Sequence, residues 1–127
     1  MADRKTVMVV DDASLVRLYY RSTLEKAGFQ VEEAMNGLEA LEKVLTTSVD
    51  MLIVDVNMPQ MDGFSFLEAL RQKEGALAGI PALVTSTESG AADFDAARAA
   101  GANFYLVKPI DQGTLVEFAA MFCGVRR

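Results

Sequence analysis

Histidine is missing from the chain altogether. Without imidazole there is no His-ligated zinc site, no Ser-His or Cys-His nucleophile pair and no role as a phosphohistidine carrier. Cysteine occurs once, at Cys123, so no intramolecular disulfide can form, and its apolar helical surroundings suit a small buried hydrophobe. Apolar runs are no longer than a strand, and Met1-Ala2-Asp3-Arg4-Lys5 lacks the apolar stretch of a signal peptide. Membrane insertion is therefore not expected, and a cytoplasmic location is the default. Positive charge is also scarce. The 12 Lys and Arg against 18 Asp and Glu leave a net charge of −6, which argues against direct nucleic-acid binding, where basic residues must release phosphate counterions. Chemistry is left to carboxylates, hydroxyls and lysine.

The 127 residues, 51% of them hydrophobic, suffice for one domain with one core and leave no room for an attached output domain. Five short runs rich in Val, Ile and Leu, at 6–10, 30–34, 51–54, 80–85 and 104–107, alternate with five helical patterns, the signature of βαβ units in a parallel sheet. The first and third runs are apolar throughout and belong at the sheet centre, covered on both faces. A first helix from Ser14 places Val16, Tyr19, Tyr20, Thr23, Leu24 and Ala27 on its buried face and Arg17, Arg21 and Glu25 in water, before Gly28 ends it. Asn36-Gly37 and Asp62-Gly63 open the second and third helices. The fourth, 91–100, is rich in alanine, short of large anchors and expected to be loosely held. The fifth, 114–123, has Leu115, Ala119 and Phe122 on one face and Val116, Phe118 and Met121 around the rest. That surplus suits a surface that meets a partner, or scattered exposed side chains of no special role.

Asp11 and Asp12 follow the first strand and Asp55 closes the third. In an open α/β sheet the carboxyl ends of the strands are where ligands bind. One aspartate there could merely cap a helix. A third, at the end of another central strand, is not explained by capping, and three negative charges in one crevice are costly unless a cation neutralises them. Mg²⁺ fits, because it takes a few protein oxygens, keeps several waters and can ligate a phosphoryl oxygen. An aspartate can also attack phosphorus to give an acyl phosphate. Thr85 and Lys108, each ending a later strand, could then hydrogen-bond and pair with the phosphoryl oxygens.

Asp11-Asp12 after an apolar strand, the run Val54-Asp55-Val56-Asn57-Met58-Pro59-Gln60-Met61-Asp62-Gly63, Thr85 and Lys108-Pro109 together resemble the receiver domain of two-component response regulators, above all its single-domain chemotaxis-type members. The resemblance spans Lys5 to about Cys123. It implies a flavodoxin-like (βα)5 doubly wound parallel sheet of strand order 2-1-3-4-5, an arrangement for which chemotaxis regulators are a standard example. It makes Asp55 the phosphoacceptor, with Mg²⁺ held by Asp11, Asp12, Asp55 and the backbone carbonyl of Asn57. Thr85 and Lys108 would bind the phosphoryl group, and Thr85 with Tyr105 would form the switch. The implied partners are a histidine kinase or histidine phosphotransfer protein and a downstream target, met on a face of the fourth helix, fifth strand and fifth helix that includes Val116, Phe118 and Met121. The expected state is a monomer, with dimerisation on activation left open. Such a protein is no enzyme toward other molecules and catalyses only its own phosphorylation and dephosphorylation. Two positions depart from chemotaxis regulators. Thr87 stands where an acidic or amide residue is frequent, which bears on the dephosphorylation rate, and Ile110 stands where Phe is common. A haloacid-dehalogenase-type phosphatase would need D-x-D, but Asn57 stands at the second position. A binding-only scaffold would be expected to have lost pocket residues.

Overall fold

Runs of β-branched and aliphatic residues become strands here because both sheet faces are covered. The computed structural model describes residues 4–125; Met1-Ala2-Asp3 and Arg126-Arg127 lie outside them. The strands are β1 (Thr6–Val10), β2 (Gln30–Ala34), β3 (Met51–Asp55), β4 (Ala82–Ser86) and β5 (Phe104–Val107), and the helices are α1 (Ser14–Lys26), α2 (Gly37–Thr46), α3 (Gly63–Arg71), α4 (Ala91–Ala100) and α5 (Gln112–Cys123). All strand pairs are parallel, in the order β2-β1-β3-β4-β5. This is the flavodoxin-like order, with the chain reversing its direction of winding after β2.

Successive strand residues point to opposite faces, which splits the core into two layers. Met8, Val10, Leu52 and Val54 pack with Val44 of α2, Phe66, Leu67 and Leu70 of α3 and Ala97 of α4. Val7, Val9, Met51 and Ile53 pack with Tyr20 and Leu24 of α1 and Leu115 and Ala119 of α5. Every residue of β1, β3 and β4 is buried, whereas β5 is half exposed along its length.

Two expectations about element ends and faces are corrected. The fourth strand begins at Ala82 rather than Ile80, because the Ile80 carbonyl is taken by Arg71 (Nη1, 2.7 Å). Arg71 also donates to the Ala78 carbonyl (2.9 Å), the Gly101 carbonyl (Nε, 2.9 Å) and Asn103 Oδ1 (3.1 Å), tying the end of α3 to the segment that joins α4 to β5. On α1, Arg17 and Arg21 are not simply solvated. Arg17 Nε lies 2.9 Å from Glu33 Oε1 and Arg21 Nη1 lies 2.7 Å from Glu33 Oε2, so one β2 carboxylate gathers two helix cations. Hydrogen bonds from both guanidinium groups, Arg21 foremost, outweigh partial burial and hold the Glu33 carboxyl below its ordinary range.

Candidate functional site

Each acidic residue of the site is delivered by the end of a central strand. Asp11 follows β1 and is 1% exposed; Asp55 is the last residue of β3 and 6% exposed; Asp12 is open to solvent. One oxygen from each can be chosen so that all three lie within 4.8 Å of one another. Capping does not explain them. The N-cap of α1 is Ala13, whose side chain makes no cap bond. Asp11 Oδ1 accepts from the Ala13 N–H (2.9 Å), while Arg17 Nη1 donates to the Asp11 carbonyl (2.6 Å), so the turn that carries the two aspartates is fixed from both sides.

Lys108, just beyond β5, reaches across the strand ends. Its Nζ is 3.0 Å from Asp11 Oδ2 and 3.1 Å from Asp55 Oδ1. A single ammonium thus bridges two of the three carboxylates. The excess negative charge shows in Asp55, whose carboxyl is raised above the ordinary range by burial and by the neighbouring Asp11 charge, against the opposing pull of Lys108. Burial would lower the Lys108 ammonium, but its hydrogen bond to Asp11 and the charges of Asp11 and Asp55 more than reverse this and raise it. A pocket with three carboxylates and one lysine is short of positive charge, and the oxygen-only donor set suits a hard divalent cation.

Thr85 is the register partner of Asp55 across the β3–β4 ladder and is fully buried. Its hydroxyl donates only a long hydrogen bond, 3.5 Å, to the Val54 carbonyl. A hydroxyl so weakly committed is available to a stronger acceptor placed at Asp55. Asn57 is exposed in the loop after β3. Tyr105 donates its phenol to the Glu88 carbonyl (2.8 Å) and stands edge-on to Phe94 at 4.6 Å. The Lys108–Pro109 bond is cis.

The Asp62-Gly63 pair has two roles, only one of them visible in a helix-start reading. Asp62 caps α3, its side chain accepting from the Ser65 N–H (2.8 Å). Gly63 allows the backbone of α3 to lie against the phosphoacceptor candidate: a Cβ there would fall 2.3 Å from the Asp55 carbonyl oxygen. The Gly63 N–H donates to the Val56 carbonyl (2.9 Å), closing the loop on itself.

The structure therefore brings Asp11, Asp12, Asp55, Thr85 and Lys108 to one crevice. On the expected partner face it separates the three α5 residues. Val116 is 8% exposed and lines a groove with Thr23 and Lys26 of α1, so it offers little surface and belongs to the helix packing. Phe118 is half-buried beside Phe104, with ring centroids 4.7 Å apart, and Met121 is 61% exposed. Sequence reasoning placed Tyr20 in the core without seeing that its phenol reaches the site. It is 2% exposed and lines a groove with Lys108 and Pro109, and the charges of Lys108, Asp11 and Asp55 act on it. The tyrosines within that buried stripe were the available signal, because a buried phenol needs a partner.

The response regulator receiver domain profile matches residues 7–120. The chain is 40% identical over 110 residues to the transcriptional regulatory protein PrrA of Mycobacterium leprae, covering 87% of this chain and 46% of that protein. It is 37% identical over 116 residues to a protein-glutamate methylesterase/protein-glutamine glutaminase of Archaeoglobus fulgidus, covering 91% of this chain and 32% of that one. The chain spans less than half the length of these two curated relatives. Among solved structures, the Vibrio cholerae chemotaxis protein CheY4 superposes with a TM-score of 0.88 at 36% identity, over 94% of this chain and 99% of the other. No helix among the described residues is long and apolar enough to cross a membrane. The matched region contains every strand end that contributes to the acidic crevice, and on that ground the chain belongs to the response regulator receiver domains, the CheY-like modules of phosphorelay signalling.

Proposed function

We propose that Asp55 accepts a phosphoryl group from the phosphohistidine of a histidine kinase or histidine phosphotransfer protein. The observation that carries this reading is the setting of Asp55: a carboxylate 3.1 Å from a lysine ammonium, grouped with two further carboxylates and facing a loosely bonded threonine hydroxyl. An Asp55 oxygen forms the new O–P bond as the P–N bond of phosphohistidine breaks, and the bonding pair leaves with the donor's imidazole. Lys108 and Thr85 stabilise charge on the transferring oxygens. The donor set of Asp11, Asp12, Asp55 and the Asn57 carbonyl suits Mg²⁺, which when bound would neutralise the crowded carboxylates and polarise the phosphoryl oxygens.

Output runs through protein contact on the face of α4, β5 and α5, where Phe118 and Met121 supply apolar surface. The phosphoryl oxygens draw the Thr85 hydroxyl toward them, and Tyr105 gives up its bond to the Glu88 carbonyl to fill the space vacated. The chain thereby acts as a switch that catalyses only its own phosphorylation and dephosphorylation. Chemotaxis-type motor control, a phosphoryl sink, a relay and kinase regulation all use this chemistry.

The test is intact-protein mass after incubation with Mg²⁺ and acetyl phosphate, alongside Asp55→Asn and a chelated control, with phosphate release followed in parallel. One phosphoryl adduct, or continuous phosphate release, that requires both Asp55 and Mg²⁺ is the expected result. Neither signal from the wild-type chain would leave a binding-only scaffold as the better reading.

A further inference from the structure

Arg17 stands where one head group can meet both the acidic turn and the neighbouring strand. Its Nη1 donates to the Asp11 carbonyl at 2.6 Å and its Nε to Glu33 Oε1 at 2.9 Å. Glu33 is the register partner of Val9 on β1, so β2 presents this carboxylate close to the strand end that carries the aspartates. Its other oxygen accepts from Arg21 Nη1 at 2.7 Å, and Lys43 of α2 donates to its backbone carbonyl. An ion pair beside a helix is ordinary. The bond to Asp11 is not, because it sends a long side chain six residues back to a carbonyl that lies between β1 and α1 and outside both. That carbonyl shares a peptide plane with the Asp12 N–H, so holding it sets the plane from which Asp12 projects. The other polar atoms of Asp11 are held as well. Its N–H donates to the Ala34 carbonyl (3.0 Å), Oδ1 accepts from Ala13 N–H (2.9 Å) and Oδ2 accepts from Lys108 (3.0 Å).

We propose that Arg17, oriented by Glu33, is a positioning residue of the cation site and holds the Asp11-Asp12 turn with its carboxylates toward Asp55. The inference rests on the reading of the crevice as a Mg²⁺ site. Charge is not what arginine contributes here. A guanidinium beside a cation site repels the ion, so by Coulomb's law alone its removal would favour binding. Arginine contributes a rigid planar fork: Glu33 fixes the plane through Nε, and the plane aims Nη1 at the Asp11 carbonyl. Glu33 also offsets the unfavourable charge. Arg21 provides the contrast within the same cluster. It carries the same charge and shares Glu33, but its side-chain bonds go to Glu25 and Glu33, and it is 40% accessible against 15% for Arg17. Arg17 reaches the backbone of Asp11 rather than its carboxylate, and so acts on the ligands through the turn that carries them.

The test is Mg²⁺ affinity of the full chain, read from amide resonances during titration, for Arg17→Met, Arg17→Lys and Arg21→Met, with melting curves to confirm folding. Arg17→Met is expected to weaken Mg²⁺ about ten-fold, the low end for a partner that orients a metal ligand. Arg17→Lys keeps the charge and loses the fork, and should weaken Mg²⁺ about five-fold; it carries the test alone if the Met variant does not fold. Arg21→Met removes an equal charge from the same carboxylate and should leave the affinity within about two-fold, or tighten it. Wild-type affinity in either folded Arg17 variant, or an equal loss in Arg21→Met, would overturn the inference. A second readout needs no metal. The Asp11 carbonyl ¹³C resonance of the metal-free protein should move in Arg17→Met and hold still in Arg21→Met, and an unmoved resonance in Arg17→Met refutes the contact. If the wild-type chain binds no Mg²⁺, the cation reading falls and the role of Arg17 falls with it. If wild type and the Arg17 variants bind Mg²⁺ equally well, the inference alone falls.

Discussion

The strand ends that carry the carboxylates and the face made by α4 and β5 are built to different standards. β1 and β3 are buried at all five positions, and the α3 side chains above them, Phe66, Leu67 and Leu70, have no exposure at all. In α4 only Ala97 and Ala100 are buried, and its one large apolar residue, Phe94, is 38% exposed. Alanine removes little apolar area from water, so α4 gains far less from packing than α3 does. The proposed chemistry stands on the most fully buried elements and the proposed output face on the least anchored helix. Elements with few buried apolar contacts open at low free energy, so one bound group can shift them without threatening the fold.

Substitutions can break this contrast, and the largest expected effect is chemical. Asp55→Asn should abolish the phosphoryl adduct seen by intact mass, while Met121→Lys on the opposite region should leave adduct formation unchanged and weaken capture of the output partner. Next comes stability by urea unfolding. Leu52→Ala, in the fully buried β3, should cost about 3 kcal/mol through the cavity it leaves. Phe104→Thr, on the half-exposed β5, should cost only about 1 kcal/mol, mostly its ring contact with Phe118. Equal costs would erase the distinction. Gly63→Ala tests how closely the site is tied to the rigid region. The added Cβ must displace the Asp55 carbonyl, and a loss of about 2 kcal/mol with slower phosphorylation is expected.

The smallest effects are in the pH dependence, where Asp55 in the crevice and Glu33 on β2 have opposite signs. Asp55 is raised in the folded chain, so the folded state holds that proton more tightly than the unfolded one. In the metal-free protein its contribution is fully present below the unfolded value and is lost as pH rises through the folded one. Asp55→Asn should flatten that slope and raise the metal-free melting temperature at neutral pH by a few degrees. Glu33, lowered mainly by its hydrogen bond to Arg21, contributes stability above its unfolded value that disappears as pH falls through the folded one. Its side chain is 29% accessible, and screening keeps the contribution to a few tenths of a kcal/mol. Melting curves of Glu33→Gln between acid and neutral pH would show it.

The five strands and five of the site residues were legible because they follow from local pattern, while the strand order was implied by the resemblance to receiver domains. Apolar runs mark parallel strands, and any acidic residue directly after such a run is carried to the same sheet edge. What the sequence could not show depends on partners far along the chain. Glu33 meets Arg17 and Arg21, Gly63 meets the Asp55 carbonyl, and Tyr20 shares a groove with Lys108 only after the sheet has assembled. Val116 was misplaced for a similar reason. Counting one face of α5 against the sheet leaves it outside, but α5 also packs sideways on α1, which covers it. The short start of β4 likewise depends on Arg71, nine residues earlier than the carbonyl it claims.

That arginine has a mechanical consequence. By holding the Gly101 carbonyl and Asn103, it clamps the C-terminal end of α4, while the other end, at Gly90, is held by a local bond to Asp93 (3.1 Å) and by the Tyr105 contact with Glu88. Once the Tyr105 contact with Glu88 is released, a rod clamped more firmly at one end moves as a lever about that end. Ten helical residues span about 15 Å, so a tilt of roughly 10° would carry the free end by about 2.5 Å and the clamped end hardly at all. The free end is the one beside the acidic crevice. On the output face proposed above, the first turn of α4, at residues 91–94, would then shift most and the end near Gly101 least.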